Sequence, residues 1–139
     1  MNRLALSRWL PPALLTATLL WVYGSTLARG LTWAHNGADG GDLIAAAAMG
    51  GVPHPTGYPV YLLLAGFFQR LPVGPLAFRT NLLSAIAMTG AAILIYFLVK
   101  NFLSGANRWT ADVAGLSAAF AFGLSPLVWS QAVITEVYA

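Results

Sequence analysis

Apolar and polar positions fall unevenly along this chain. The first apolar run, WLPPALLTATLLWVYGSTLA from Trp9 to Ala28, holds about 20 residues. At about 1.5 Å per residue that length crosses roughly 30 Å of hydrocarbon. A second run has its apolar core from Leu82 to Val99, bounded by Arg79 and Asn81 on one side and Lys100 on the other. The third, ADVAGLSAAFAFGLSPLVW, starts at Ala111. Thr110 is its expected N-cap, Asp112 lies in the expected first turn, and Ser125-Pro126 should break or end it. These runs predict crossing helices over 10–28, 80–100 and 111–128. Pro11 and Pro12 sit at the expected start of the first, where a missing N–H matters little.

Two shorter apolar segments lie between the first and second runs. DLIAAAAMG, Asp42 to Gly50, predicts a helix over 41–49, with an acid in its first turn and glycines at its end. VYLLLAGFFQRLP, Val60 to Pro72, is too short to cross and predicts an interfacial or re-entrant helix over 59–70. Gly115, Ser117, Ala118, Ala119 and Gly123 give the third run a small-residue face suited to close packing in a membrane. The expected fold is all-α and integral to the membrane: about three spans and one or two short interfacial helices in one membrane domain, residues 1–139.

Composition sharpens this picture. Charged residues are 8% of the 139, hydrophobic residues 58%, and the mean hydropathy is +0.71. Soluble domains carry roughly 25% charged residues, so lipid is the expected solvent. The net charge of +3 does not indicate nucleic acid, because the seven basic residues are scattered and form no cluster. There is no cysteine, which excludes disulfides and thiolate chemistry. A signal peptide shares the features of the N-terminal run, with Ser25–Ala28 (STLA) in the place of a cleavage site; the run is long for that role and further spans follow. Counting Lys and Arg puts Arg3, Arg8, Lys100 and Arg108 in the cytoplasm and Arg29, Arg70 and Arg79 outside. On that count the N-terminus is cytoplasmic in a multi-pass cell-membrane protein, and loop 30–79 is extracytoplasmic. The tail with Glu136 emerges on the same face as the loop.

That outer loop concentrates the polar chemistry. Asp39 and Asp42 lie three apart among Gly37, Gly40 and Gly41; as cap and first-turn residue, they would crowd one positive helix end. Pro53 and Pro55 hold His54 in extended backbone, and Gly57 permits positive φ. Plain structural readings stand beside each functional one. Asp39 serves as a helix cap, Asp42 as a dipole partner, His54 as a turn residue and Arg79 as a snorkelling side chain. Trp33, Tyr58, Trp129 and Tyr138 form an outer aromatic belt. Glu136 is an interface residue or, as an acid near membrane depth, a functional candidate.

The segments DGGD at Asp39–Asp42, HPTGYPVY at His54–Tyr61, RTNLLSA at Arg79–Ala85 and WSQAVITEVYA at Trp129–Ala139 occur in order from about Asn36 to the end. Together they resemble a family of polytopic membrane proteins with a domain of unknown function, grouped with the protein O-mannosyltransferases of the GT-C glycosyltransferase superfamily. Gly40, Asp42, Thr56 and Val60 depart from that family's serine, glutamate, proline and leucine.

The resemblance implies the N-terminal part of a GT-C-like transferase. Such an enzyme moves a sugar from a polyprenyl-phosphate-linked donor to an acceptor on the extracytoplasmic side, with membrane lipid around it. It implies Asp39 and Asp42 as catalytic carboxylates, and His54, Tyr58, Arg79, Asn81 and Glu136 as donor-phosphate or substrate-binding residues. Arg70 is a second candidate for the phosphate, and a divalent metal is a possible cofactor. The final motif would open another span in the family, so the chain reads as part of a longer protein, inactive alone. The alternatives are a transporter or channel subunit, which would place ionisable groups near the midplane, or a non-catalytic structural subunit.

Overall fold

The structure, a computed structural model, describes residues 3–138, with side chains from residue 8 onward. Ala139 and the side chain of Arg3 lie outside the described residues. The order is α1 (Arg3–Thr26), a single 3-10 turn (Ala34–Asn36), α2 (Gly40–Met49), α3 (Pro59–Phe68), α4 (Leu76–Phe102), α5 (Arg108–Gly123) and α6 (Pro126–Ala132). Among the described residues there is no strand.

All five expected segments form helices, with shifted ends. α1 starts earlier than expected, so Pro11 and Pro12 lie inside it rather than at its first turn. Each proline removes a donor to the carbonyl four residues back. Thr16 Oγ1 donates to the Pro12 carbonyl at 2.8 Å, which engages one of the main-chain acceptors of this stretch. Thr110 is not the cap of α5. Asn107 is: its side-chain oxygen accepts from the Thr110 backbone N–H at 2.9 Å. Asp112 therefore falls beyond the first turn, on the buried side of the helix. Ser125-Pro126 does end α5: Ser125 caps α6, and the two helices meet at 66°.

α4 is the hub, touching α1, α2, α3, α5 and α6. Its buried Ala85, Met88, Ala92 and Tyr96 recur at helical spacing and face Leu15, Leu19 and Tyr23 of α1. The small residues of α5 allow close approach. A Cβ on Gly115 would lie 2.9 Å from the Tyr96 ring, and one on Gly123 2.9 Å from Leu19. Tyr23 Oη donates to the Gly123 carbonyl at 2.6 Å, fastening the same contact.

Among the described residues, α4 is the one helix that is both long and apolar enough to cross a membrane. The bent pair α5 and α6 would make a second if it forms one span. Large apolar side chains face outward along the bundle, among them Trp9, Leu14, Trp21, Leu94 and Leu98.

The tail after α6 turns back along the bundle. The Ala28 N–H donates to the Val133 carbonyl at 2.9 Å. Ile134, Thr135 and Glu136 are buried. This return brings Glu136 to the end of the molecule that carries α2 and α3.

Candidate active site

The loop acids are drawn together by the turn that follows α2. Asp42 sits in the first turn of α2, and its Oδ2 accepts twice from His54: from the backbone N–H at 3.0 Å and from ring Nδ1 at 2.9 Å. An ionised carboxylate only accepts, so Nδ1 carries the proton. The other ring nitrogen, Nε2, faces Asp39 Oδ2 at 3.6 Å. One histidine thus stands between two carboxylates. Each carboxylate side chain is 49% accessible. The hydrogen bond from the His54 backbone, then that from its ring, hold the Asp42 carboxyl below its usual value.

Asp39 occupies the N-cap position of α2 but does not cap it. Its backbone is already helical (φ −84°, ψ −12°), and its side chain bonds no helix N–H. The carboxylate is left directed at His54 rather than consumed by the helix. Asp42 has the opposite fate, since its oxygens hold the turn.

The turn itself is shaped by its backbone. Gly57 has φ 83° and Tyr58 has φ 44°, both left-handed. For tyrosine this is a sterically costly conformation. It caps α3 and sets the Tyr58 ring edge-on to His54, with centroids 5.5 Å apart. Tyr138, from the tail, meets the Tyr58 hydroxyl. That bond, with the charges of Glu136 and Asp39 nearby, raises the Tyr138 hydroxyl above its ordinary value.

Glu136 lies deeper, 7% exposed. Its Oε1 accepts from the Val137 N–H at 2.8 Å, and among the described residues it has no ion pair. Its charge reaches Tyr61, whose hydroxyl is held above its normal value first by burial and then by that carboxylate. Tyr61 lies within the HPTGYPVY segment, one helical turn before the buried Ala65.

Two expected site residues take other positions. The Arg79 guanidinium is held by main-chain carbonyls: Nε and Nη2 donate to Gly74, Nε also to Val73, and Nη1 to Gln69 at 2.7 Å. It clamps the connection into α4. Asn81 is 2% exposed and ties three segments together. Its Nδ2 donates to the Ala28 carbonyl at 2.7 Å, and its Oδ1 accepts from Thr135 Oγ1 at 2.6 Å. It therefore positions the tail that carries Glu136, and is itself turned inward.

Beside the acids, α2 and α3 enclose an open apolar groove of about 760 Å3. Ala46, Gly50, Leu62, Gly66 and Phe67 line it, and exposed Arg70 stands at its margin. Among the described residues, no group of three or more His, Asp or Glu side chains is arranged to hold a metal. Asp42 and His54 are already bonded to each other, which leaves Asp39 as the open carboxylate.

The chain has recognisable relatives. A family model described as the protein O-mannosyl-transferase TMEM260 N-terminal domain matches residues 39–139. The protein O-mannosyl-transferase TMEM260 of Mus musculus is 38% identical over 124 residues, 88% of this chain and 16% of the mouse protein. The Dictyostelium discoideum protein of the same description is 35% identical over 107 residues, 75% of this chain and 12% of its own length. The chain thus spans less than a fifth of either relative. No solved structure matches it significantly.

Proposed function

Since the chain belongs to the protein O-mannosyl-transferase TMEM260 N-terminal domain family, we propose that it forms the catalytic loop region of a membrane O-mannosyltransferase. The single observation that carries this reading is the open Asp39 carboxylate beside a His54 that Asp42 locks in place. Transfer of a sugar to a hydroxyl needs a proton acceptor next to the attacking oxygen. Asp39 takes that proton. The acceptor oxygen bonds to the anomeric carbon, and the carbon–oxygen bond to phosphate breaks, releasing polyprenyl phosphate. Asp42 orients His54, whose ring borders the place of the acceptor hydroxyl beside Asp39.

The donor's two halves differ in polarity, and so do the surfaces beside the acids. An apolar polyprenyl chain suits the α2–α3 groove. The phosphate suits Arg70, whose guanidinium favours a charge-assisted bond. Arg79 is a weaker candidate, because each of its three nitrogens already donates to a main-chain carbonyl. The outward-facing apolar side chains of α1, α4 and α5 favour lipid as their solvent. In the membrane arrangement proposed here, α1, α4 and the bent α5–α6 pair cross, the N-terminus is cytoplasmic, and the loop acids are extracytoplasmic. A transporter would set its ionisable groups near mid-bilayer, whereas Asp39 and Asp42 stand at the N-terminal end of the short helix α2 and His54 in the turn that follows it.

The test is transfer of labelled mannose from polyprenyl-phosphate mannose to a hydroxyl-bearing peptide, by membranes containing the protein. Asp39→Asn should reduce the rate roughly 10²–10⁴-fold, the range of a general base. Asparagine caps a helix as well as aspartate does, so near-native transfer by this variant at equal protein level would end the catalytic reading.

A further inference from the structure

The His54 ring is fixed on one side and open on the other. Asp42 Oδ2 accepts from ring Nδ1 at 2.9 Å and from the His54 backbone N–H at 3.0 Å. Pro53 and Pro55 stiffen the backbone on either side. The Tyr58 ring meets the imidazole edge-on at 5.5 Å. Which nitrogen of a neutral imidazole carries the proton is set by the bond that the other nitrogen leaves free or makes. With the proton on Nδ1, Nε2 presents a bare lone pair.

Nε2 faces Asp39 Oδ2 at 3.6 Å. Both atoms only accept in this state, so neither can bond the other. Such a pair is satisfied when one proton enters between them. The spacing lies just beyond a hydrogen bond, and proton-transfer contacts commonly tighten from such distances once substrate is bound. The groups around the ring come from three elements. α2 supplies Asp39 and Asp42, and the start of α3 supplies Tyr58. From the tail, Tyr138 meets Tyr58, with the Glu136 charge nearby. Among the described residues no Lys or Arg is ion-paired with Asp39 or Asp42. A proton arriving at Nε2 would therefore find a carboxylate at each ring nitrogen.

We propose that His54 is a second proton station, which takes from Asp39 the proton that Asp39 removes from the acceptor. The acceptor O–H bond breaks, and its proton goes to Asp39 Oδ2. The electron pair left on oxygen forms the bond to the anomeric carbon, and the phosphate leaves with the pair of the bond that breaks. The proton then passes from Asp39 Oδ2 to His54 Nε2. Asp39 is ionised again, and the imidazolium, its side chain 37% accessible, gives the proton to water. At neutral pH a free imidazole holds a proton far better than a free carboxylate does, so the relay clears the base between turnovers. His54 acts through Asp39: it positions a proton, while Asp39 touches the acceptor. The relay rests on the O-mannosyltransferase reading for its reaction, but not for the state of the ring.

The ring is therefore measured apart from transfer. The chain has two histidines, so His35→Gln protein labelled with 15N carries a single imidazole. In detergent at about pH 8, above the range of a free imidazole, NMR should show Nδ1 protonated and Nε2 bare. Asp42→Ala should lose that preference. A ring protonated at Nε2 would overturn the relay whatever the activity. Mannose transfer by membranes containing the protein is then followed against pH. His54→Gln should be slower by roughly tenfold at neutral pH, and the deficit should shrink as pH falls, because the variant has no imidazole to fill. Added imidazole should restore part of the transfer lost in His54→Ala. An equal deficit at every pH, with no rescue, would make His54 structural and overturn the relay while leaving Asp39 as the base. No transfer by the wild type at any pH, with the Nδ1-protonated ring intact, would instead sink the transferase reading and the relay with it.

Discussion

Two aspartate clusters sit at opposite ends of the helical bundle, and they are built in opposite ways. Asp112 is closed. Its side chain is 10% accessible, its Oδ1 takes Lys100 Nζ and Tyr96 Oη, and its Oδ2 takes Arg108 Nε at 3.3 Å. Lys100 also bonds Tyr96 Oη at 3.0 Å. Cations and donors outnumber the one acid, and the cluster fastens α4 to α5. The loop acids are open. Asp39 and Asp42 share one histidine and stand half-exposed, and Glu136 is buried with no ion pair among the described residues. A charge that is paired and hydrogen-bonded has nothing left for a substrate. A carboxylate that could have capped α2 and does not has kept its lone pairs available.

The largest effect that would break this contrast is topological. The two clusters should face opposite sides of the membrane. The chain has no cysteine of its own, so cysteines at the exposed Ala38 and Asn107 report the two ends. In intact cells an impermeant maleimide should label Ala38→Cys and leave Asn107→Cys unlabelled. Labelling of both, or the reverse, would remove the membrane arrangement proposed above.

Next in size is Asp112→Ala. Removing one partner from a buried, bonded pair strands the others, at a cost of roughly 3 kcal/mol. Reversible unfolding in detergent should show this as a lower midpoint, with transfer per folded molecule unchanged. A midpoint equal to wild type would mean that the cluster adds nothing to the fold.

Asn81→Leu tests the positioning contacts of that residue. It leaves the Ala28 carbonyl and Thr135 hydroxyl without their partner, a loss of roughly 1–3 kcal/mol. Lower stability is expected, with transfer per folded molecule changed only in so far as the tail shifts. Abolished transfer at unchanged stability would restore Asn81 as a substrate ligand.

The smallest effect is in the pH response of the loop. The Asp42 carboxyl is depressed from its model-peptide value of 3.8 by the His54 backbone and ring. The depressed form contributes order above that value and loses it as pH falls through the lower, folded one. Protease protection of the 50–58 turn should hold from neutral pH down to about 4 and then decline. In Asp42→Asn that decline should be absent. An identical decline in both proteins would place the titration elsewhere.

Much of this was legible from the chain. Run length and periodicity give all five helical segments, because burial of an apolar face is written in i, i+4 spacing, as in Leu15, Leu19 and Tyr23. Ser125-Pro126 marks the bend. The ends were harder. Thr110 and Asn107 are both good caps, and the choice depends on which N–H each side chain reaches. The position of Asp112 opposite Lys100 and Tyr96 depends on how α4 and α5 pack, which neither helix encodes alone. Asp39, Asp42 and His54 carried a visible signal in composition, but their pairing is made by a turn 12 residues downstream of Asp42. The carbonyl contacts of Arg79 and Asn81 could not be read from sequence, since a guanidinium and an amide suit backbone carbonyls as well as substrates. Tyr61 was hidden for a similar reason: nothing local reveals that a tyrosine hydroxyl will be buried without a partner.

The most direct test of the contrast sets Asp39→Asn beside Asp112→Asn in the same membranes, measuring mannose transfer per folded molecule and the unfolding midpoint for each. The account predicts crossed effects. Asp39→Asn keeps the midpoint and loses transfer by roughly 10²–10⁴-fold, while Asp112→Asn lowers the midpoint and keeps transfer per folded molecule. Transfer that survives Asp39→Asn, or falls in both variants only in step with stability, would contradict it.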